Sequence, residues 1–144
     1  MKLSDNFTIE EATRSTKAVS LGIDNSMSMK ILIEAEWFAT MVLQPIRDRI
    51  DLPFDITSWY RSPALNKAVG GKPTSAHLSG TAIDFNIRGM GTALTFDTVM
   101  RTLKDLRIVF DQLICERNTK TGATWVHLSS KRIGNRNQSF KLNV

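Results

Sequence analysis

The segment from Ser75 to Asp84, Ser-Ala-His-Leu-Ser-Gly-Thr-Ala-Ile-Asp, constrains the fold of this chain more than any other. It runs into residues 81–87, where small or polar side chains at positions 82, 84 and 86 alternate with the apolar Ile83, Phe85 and Ile87. Alternation with a period of two predicts a strand that buries one face and exposes the other. The buried face would hold the strand in place while the other face presents the carboxylate of Asp84. His77 precedes the strand, on a loop in which Gly80 provides a turn.

The chain has only two histidines, and the second, His127, lies in another strand-like run at residues 124–129. There Trp125, His127 and Ser129 would share one face, opposite the apolar Val126 and Leu128. Two imidazoles and one carboxylate suit a catalytic zinc ion, with the fourth position left for water. We therefore predict one Zn²⁺ ion bound by His77, Asp84 and His127.

A hydrolytic zinc site also needs a general base, and Glu116 is the first candidate. If Glu116 pairs opposite Trp125 across the polar loop at residues 117–123, it shares a face with His127 and lies roughly 7–8 Å from it. A register shifted by one residue would turn Glu116 to the other face. Asp111 is then the alternative base.

Arg61 follows a predicted strand at residues 54–59 and precedes a short helix that starts at Ser62-Pro63 and ends at Gly70-Gly71. An arginine at the end of a strand could fork onto a substrate carboxylate or a polarised carbonyl. The alternative is an ion pair that braces the helix. Trp125 is likewise either a wall of the substrate cleft or a packing residue, and the sequence does not separate the two.

Residues 1–50 predict two helices. The capping box from Thr8 to Glu11 starts the first, which ends near Gly22. The second begins at Asn25-Ser26 or Ser28 and continues to about residue 50, with a kink at Pro45.

Residues 54–130 predict the core that carries the metal site. A helix over residues 92–106 has an apolar side formed by Leu94, Val99, Leu103 and Leu106. Strands at 109–116 and 124–129 predict a β-hairpin. Cys115, the only cysteine, excludes an intramolecular disulfide and is expected to be a small core residue.

The tail, residues 131–144, has no acidic residue but carries four cations, Lys131, Arg132, Arg136 and Lys141, and the whole chain has a formal charge of +5. This balance suggests nucleic acid or an anionic envelope polymer as a partner, or simply a solvated tail. No nucleic-acid-binding module is visible, so we expect no nucleic acid partner. A length of 144 residues fits a single domain over residues 1–144, expected to be a monomer.

Three motifs occur in the order known from one family: Thr57-Ser-Trp-Tyr-Arg-Ser-Pro63, Ser75-x-His-x-x-Gly-x-Ala-x-Asp84 and Trp125-x-His127. On these motifs the chain resembles the zinc D-alanyl-D-alanine carboxypeptidase family. That family includes bacterial D,D-carboxypeptidases, vancomycin-resistance D,D-dipeptidases and phage L-alanyl-D-glutamate endolysins. The resemblance implies an α+β fold of the Hedgehog/D,D-peptidase type, with a small antiparallel sheet that carries the zinc site and is flanked by helices.

The resemblance also implies roles for individual residues. His77, Asp84 and His127 would bind zinc, Arg61 would contact the substrate, and Ser75 would lie near it. Two positions depart from the family pattern. Many members have the catalytic glutamate three residues before the second histidine, where this chain has Thr124, so that the base must come from elsewhere, and Glu116 is the candidate. Glycine is common where this chain has Trp59, which would reshape the substrate cleft.

The expected function is that of a zinc metallopeptidase that hydrolyses the peptidoglycan stem peptide, encoded by a phage or prophage as an endolysin or virion-associated enzyme. The alternatives are a D,D-carboxypeptidase or D,D-endopeptidase acting at D-alanyl bonds, and a non-catalytic zinc-containing wall-binding or structural module. No apolar run of about 18 residues predicts a membrane span, and the first residues lack the apolar run of a secretory signal. We therefore expect synthesis in the cytoplasm and action on the cell wall, either after release with a membrane-permeabilising partner or from within a virion.

Overall fold

Six α-helices and seven strands make up the α+β fold in the computed structural model, which describes all 144 residues. In chain order the elements are β1 (Lys2–Ser4), β2 (Phe7–Thr8), α1 (Ile9–Thr13), α2 (Thr16–Leu21), α3 (Met29–Phe38), α4 (Gln44–Ile50), β3 (Phe54–Ser58), α5 (Pro63–Ala68), β4 (Ala82–Ile87), α6 (Thr92–Asp105), β5 (Gln112–Arg117), β6 (Thr124–Ser129) and β7 (Gln138–Asn143). A π-helical turn (Ala39–Leu43) joins α3 to α4, and a 3₁₀ helix (Ala76–Ser79) precedes β4. None of the helices is long and apolar enough to cross a membrane.

The first predicted helix is divided into two short ones. The capping box is present, since Thr8 Oγ1 accepts from the N–H of Glu11 and the Glu11 side chain accepts from the N–H of Thr8. Arg14, however, has an extended backbone with φ −65° and ψ 130°, which ends α1. Ser15 then caps α2 by accepting from the N–H of Ala18, and Gly22 closes α2 in the left-handed conformation. A second capping side chain therefore makes the break that helical periodicity did not predict.

The second predicted helix begins as expected at Ser28, whose hydroxyl accepts from the N–H of Ile31. The kink expected at Pro45 takes the form of the π-helical turn at Ala39–Leu43, immediately before the proline. Pro45 has no N–H to donate and its ring crowds the preceding turn of a regular helix. The wider turn, in which Gln44 donates to the carbonyl of Ala39 five residues back, accommodates it without ending the helix.

The main sheet has the strand order β3-β4-β6-β5-β7. The first four strands pair antiparallel, but β7 pairs parallel to β5, so the sheet is mixed and not purely antiparallel as predicted. Residues 131–144, predicted as a basic tail, thus contain an edge strand. Three of the four tail cations form ion pairs, Lys131 and Arg136 with Asp111, and Arg132 with Glu34. The six residues of β7 are all exposed, so no buried alternation marked the strand in the sequence.

One face of the main sheet packs against the helices and forms a single core cluster that includes Ile83, Phe85, Val126 and Leu128 from the central strands. From α6 the cluster takes Phe96, Val99 and Leu103. The prediction that Leu94 lies on the apolar side of this helix is wrong, since its side chain is half exposed. Phe96 occupies the core instead, because residues 96, 99 and 103 follow the three- and four-residue spacing of one helix face. The other face of the sheet carries the predicted metal ligands.

Candidate metal centre

Two central strands bring Asp84 and His127 together. In the antiparallel pair β4–β6, Asp84 lies directly opposite His127. The neighbours of Asp84 along β4, Ile83 and Phe85, are fully buried in the core, as the alternation predicted. Nδ1 of His127 lies 3.0 Å from Oδ1 of Asp84. The apolar face of the strand therefore anchors the backbone that holds the carboxylate.

His77 reaches the same point from outside the sheet. It lies in the 3₁₀ helix and not in an irregular loop, and its side chain is almost fully buried. The hydroxyl of Ser75 caps this helix by accepting from the N–H of His77, and Gly80 ends it with φ +73°. A residue with a side chain is strained at that backbone conformation, so glycine is favoured there. Nε2 of His77 lies 3.3 Å from Oδ1 of Asp84.

The backbone of Trp59 fixes which nitrogen of His77 faces Asp84. Nδ1 of His77 lies 2.5 Å from the carbonyl oxygen of Trp59, to which it must donate a proton. In the neutral ring Nε2 then carries the lone pair that a metal ion would bind, and this atom is buried without a hydrogen-bond partner. The indole of Trp59 is in the core and donates to the carbonyl of Gly80, so the expectation that it reshapes the substrate cleft is wrong. The main-chain carbonyl of Trp59 therefore orients His77, one of the three candidate metal ligands.

The three donor atoms fit a zinc ion. They all lie within 4.8 Å of one another. Oδ1 of Asp84 is 3.0 Å from Nδ1 of His127 and 3.3 Å from Nε2 of His77. Two ligand atoms bound at about 2.1 Å to a tetrahedral ion are about 3.4 Å apart. Burial favours a neutral Asp84, but the two histidines outweigh it through charge and hydrogen bonding and lower its pKa, so Asp84 is a carboxylate. The unpartnered Nε2 of His77 gives a further reason to place an ion here, because a buried polar atom without a partner is unfavourable.

Glu116 occupies the position that the favoured register predicted. It lies opposite Trp125 in the β5–β6 pair, on the same face of the sheet as His127. Its Oε2 accepts a hydrogen bond of 2.6 Å from the indole Nε1 of Trp125. Burial raises the pKa of Glu116, and the negative charge of Asp84 adds to the effect. A carboxylate with a raised pKa beside a metal centre suits a general base that must also release its proton.

The other candidate positions are engaged elsewhere. Asp111, the alternative base, is buried before the opposite end of β5 and accepts two hydrogen bonds from the guanidinium of Arg136. Thr124 is exposed, and its hydroxyl lies 2.8 Å from that of Thr92. Both side chains are therefore engaged away from Asp84, whereas Glu116 lies close enough to Asp84 for its charge to raise the pKa of Glu116.

Arg61 is held beside the metal ligands by its main chain. Its N–H donates to the carbonyl of His77 over 3.0 Å. The guanidinium forms no ion pair, and its Nε is buried without a hydrogen-bond partner. Burial lowers the pKa of Arg61, while the charges of Asp84 and Glu116 oppose that change. The alternative of an ion pair that braces α5 is wrong, because Arg61 forms no ion pair and the helix is capped by the hydroxyl of Ser62.

The face of the sheet that bears Asp84 and His127, which we call the site face, continues across β5 onto β7. The pairing places Ile114 and Phe140 in the row of His127, and Glu116 and Leu142 in the next row.

Two asparagines that the motifs left without a role also carry buried, unpartnered amide oxygens, Asn86 on the site face and Asn66 on α5. The alternation of β4 placed Asn86 beside Asp84, but only the tertiary contacts identify Asn66.

Comparison with known protein families gives one match. Residues 5–129 match the family model described as Peptidase M15. No curated protein matches the chain. The matched range includes all three metal-binding candidates as well as Arg61 and Glu116. Because the model covers most of the sequence, the chain belongs to the Peptidase M15 family, the zinc D-alanyl-D-alanine carboxypeptidase family of metallopeptidases that act on peptidoglycan.

Proposed function

We propose that the protein hydrolyses a peptide bond in the peptidoglycan stem peptide, with one zinc ion held by His77, Asp84 and His127. The observation that carries the proposal is the convergence of these three ligands, one of them with an unpartnered buried nitrogen, on the face that also presents Glu116. Zinc supplies Lewis acidity, which polarises a carbonyl and lowers the pKa of water to about 7.

Glu116 is the proposed general base. It takes a proton from the attacking water and passes it to the leaving amine, which requires a carboxyl group that can hold and release a proton near neutral pH. Its raised pKa and its hydrogen bond from Trp125 support this role. Trp125 keeps Oε2 of Glu116 in one direction and, being half-buried beside it, is also a proposed wall of the substrate cleft.

Arg61 and Ser75 are the proposed polar contacts with the substrate. The guanidinium of Arg61 has no carboxylate of the protein to satisfy it, which leaves it free to bind a substrate carboxylate or the oxyanion formed by attack on the carbonyl. The Ser75 oxygen accepts from His77, so its proton remains available to donate.

The single-domain, monomeric organisation and the Hedgehog/D,D-peptidase architecture belong to the same proposal. The core cluster joins residues of the N-terminal helices to residues of the main sheet, as a single domain requires. We propose a phage or prophage origin, and the bond that is cleaved remains to be assigned between an L-alanyl-D-glutamate bond and a D-alanyl bond. The enzyme would reach the wall with a membrane-permeabilising partner or as part of a virion.

Digestion of purified murein sacculi tests the proposal. The zinc-loaded protein should release new amino termini, and a chelator should abolish the release. Mass spectrometry of the products assigns the bond, because loss of a terminal D-alanine indicates a D,D-carboxypeptidase and a peptide freed at L-alanine indicates an L-alanyl-D-glutamate peptidase. Sedimentation with sacculi without any turnover would favour the non-catalytic wall-binding module. Full activity of His127→Ala would overturn the mechanism.

A further inference from the structure

The turn that follows α5 approaches Arg61 at a position where no side chain fits. A Cβ atom on Gly71 would lie 2.0 Å from Oδ1 of Asn66 and 2.9 Å from Nη1 of Arg61. The backbone of Gly71 does not have the positive φ of its neighbour Gly70, so the glycine is required by space and not by its dihedral angles. The amide oxygen of Asn66 and Nη1 of Arg61 therefore both approach the same point above this Cα, although no hydrogen bond joins them.

The side chain of Asn66 is anchored, whereas the guanidinium of Arg61 is not. Asn66 is only 4 % exposed, and its Nδ2 donates to the carbonyl of Lys72 over 3.0 Å. Its own carbonyl accepts from the N–H of Gly71 over 2.8 Å. These two bonds tie the residue to the turn. Its Oδ1 has no hydrogen-bond partner and lies near the point above Gly71 that Nη1 of Arg61 also approaches.

We propose that Asn66 and Gly71 position the guanidinium of Arg61 for substrate, an inference that rests on the proposed role of Arg61 in substrate binding. Asn66 offers an acceptor on one side, and the bare Cα of Gly71 allows the guanidinium to lie against the turn. An amide suits this task better than a carboxylate. It accepts a hydrogen bond without neutralising the arginine, whose charge then remains available for a substrate carboxylate or oxyanion.

Two substitutions test the positioning, each with a binding readout that does not need turnover. Glu116→Gln serves as the background, and isothermal titration with a synthetic stem peptide gives Kd. Gly71→Ala should raise Kd about tenfold or more, as expected when one charge-assisted hydrogen bond is misaligned. Asn66→Asp should raise Kd similarly, because the new carboxylate would pair with Arg61. Zinc content should remain at the value of the background protein.

Gly70→Ala is the matched control in the same turn. Gly70 has φ +75° and open space around its Cα, so a methyl group there strains the backbone without touching Arg61. It should lower the melting temperature and leave Kd unchanged. A double-mutant cycle separates positioning from a general defect in folding. If Gly71 acts through the guanidinium, Gly71→Ala should add little to Kd once Arg61→Lys has been made.

The outcomes for this inference and for the proposed function are distinct. Turnover of sacculi by the wild-type protein tests the function alone. If the wild type turns over and Gly71→Ala binds the stem peptide with unchanged Kd, the inference is wrong and the function stands. If the wild type does not turn over but binds the peptide, and Gly71→Ala weakens that binding, the function fails and the inference stands. Additive effects of Gly71→Ala and Arg61→Lys, or no binding of the peptide by the background protein, would overturn the inference.

Discussion

The indole Nε1 of Trp125 donates a hydrogen bond of 2.6 Å to Oε2 of Glu116. The two residues lie opposite each other in neighbouring strands, and both are only partly buried. The bond fixes one oxygen of the carboxylate and leaves the other, Oε1, without a hydrogen-bond partner in the protein. Two consequences follow, one for the rate of hydrolysis and one for its dependence on pH.

Replacing Glu116 by glutamine should remove the general base and leave the metal site intact. The amide keeps the shape of the carboxylate but cannot take up a proton, so kcat should fall by about 10²- to 10⁴-fold, the usual contribution of a positioned acid–base group. Zinc content, measured by atomic emission, should remain one ion per chain. A variant that retains wild-type kcat would exclude Glu116 as the base. Thr124→Ala, at the exposed start of the adjacent strand and on the face opposite Trp125 and His127, is the control and should retain activity.

Activity should depend on the deprotonated form of Glu116, so kcat/KM should decline on the acid side of its pH profile. Burial and the charge of Asp84 raise the pKa of Glu116 and move this decline to higher pH, while the positive charge of a bound zinc ion would oppose that shift. The hydrogen bond from Trp125 opposes that shift by favouring the carboxylate. Trp125→Phe removes the bond, which should raise the pKa further and move the acid limb to higher pH. A limb that stays in place, or moves to lower pH, would show that the bond does not set this pKa.

The sequence predicted which strand faces carry Asp84, His127 and Glu116 better than it predicted the rest of the chain. Alternation along β4 is a local property, and it correctly placed Asp84 opposite the apolar Ile83 and Phe85. The pairing of Glu116 with Trp125 also followed from alternation once a hairpin was assumed. Register is strongly specified in this hairpin because a shift of one residue would turn the buried side chains of the shifted strand to the opposite face.

The parallel strand β7 could not be predicted in the same way. It has no buried face, and its position depends on pairing with β5 and on contacts made by the preceding loop. The N–H of Arg136 and its guanidinium both donate to Asp111, a residue 25 positions earlier in the chain. The spacing of charges in a sequence does not reveal such a distant partner. For the same reason, Gly70-Gly71 correctly indicated the end of a helix, while the contact between Gly71 and Asn66 became apparent only in three dimensions.

Zinc should stabilise the folded chain through the three ligands. An ion that binds the native state and not the unfolded state raises the melting temperature, by an amount that grows with the logarithm of its concentration relative to Kd. Adding zinc to chelator-treated protein should therefore raise the melting temperature of the wild type and of the Thr124→Ala control. His77→Ala and His127→Ala should lose most of this increase. An equal increase in the two histidine variants would place the ion elsewhere.

Asp111 should contribute stability that depends on pH. It is only 3 % exposed, and hydrogen bonds from Arg136 lower its pKa despite the opposing effect of burial. A carboxyl group with a lowered pKa in the folded state adds stability above its unfolded pKa of about 3.9, and loses it as the pH falls through the folded value. Asp111→Asn should therefore lower the free energy of unfolding at pH 7 by about 1–3 kcal/mol. The loss is limited because the partner Arg136 is half exposed, so that water screens part of the interaction.

Urea denaturation at several pH values measures this contribution. The difference between wild type and Asp111→Asn should be largest at neutral pH and should shrink as the pH falls below the ordinary aspartate value of about 3.9, since the wild-type carboxylate then becomes protonated. Asp105→Asn is the control, because Asp105 faces Arg49 at 3.8 Å with both side chains more than half exposed. That change should alter the free energy of unfolding by no more than about 0.5 kcal/mol. A difference for Asp111→Asn that is constant across the pH range would mean that its effect comes from packing, and that the charged contact with Arg136 does not hold β7 in place.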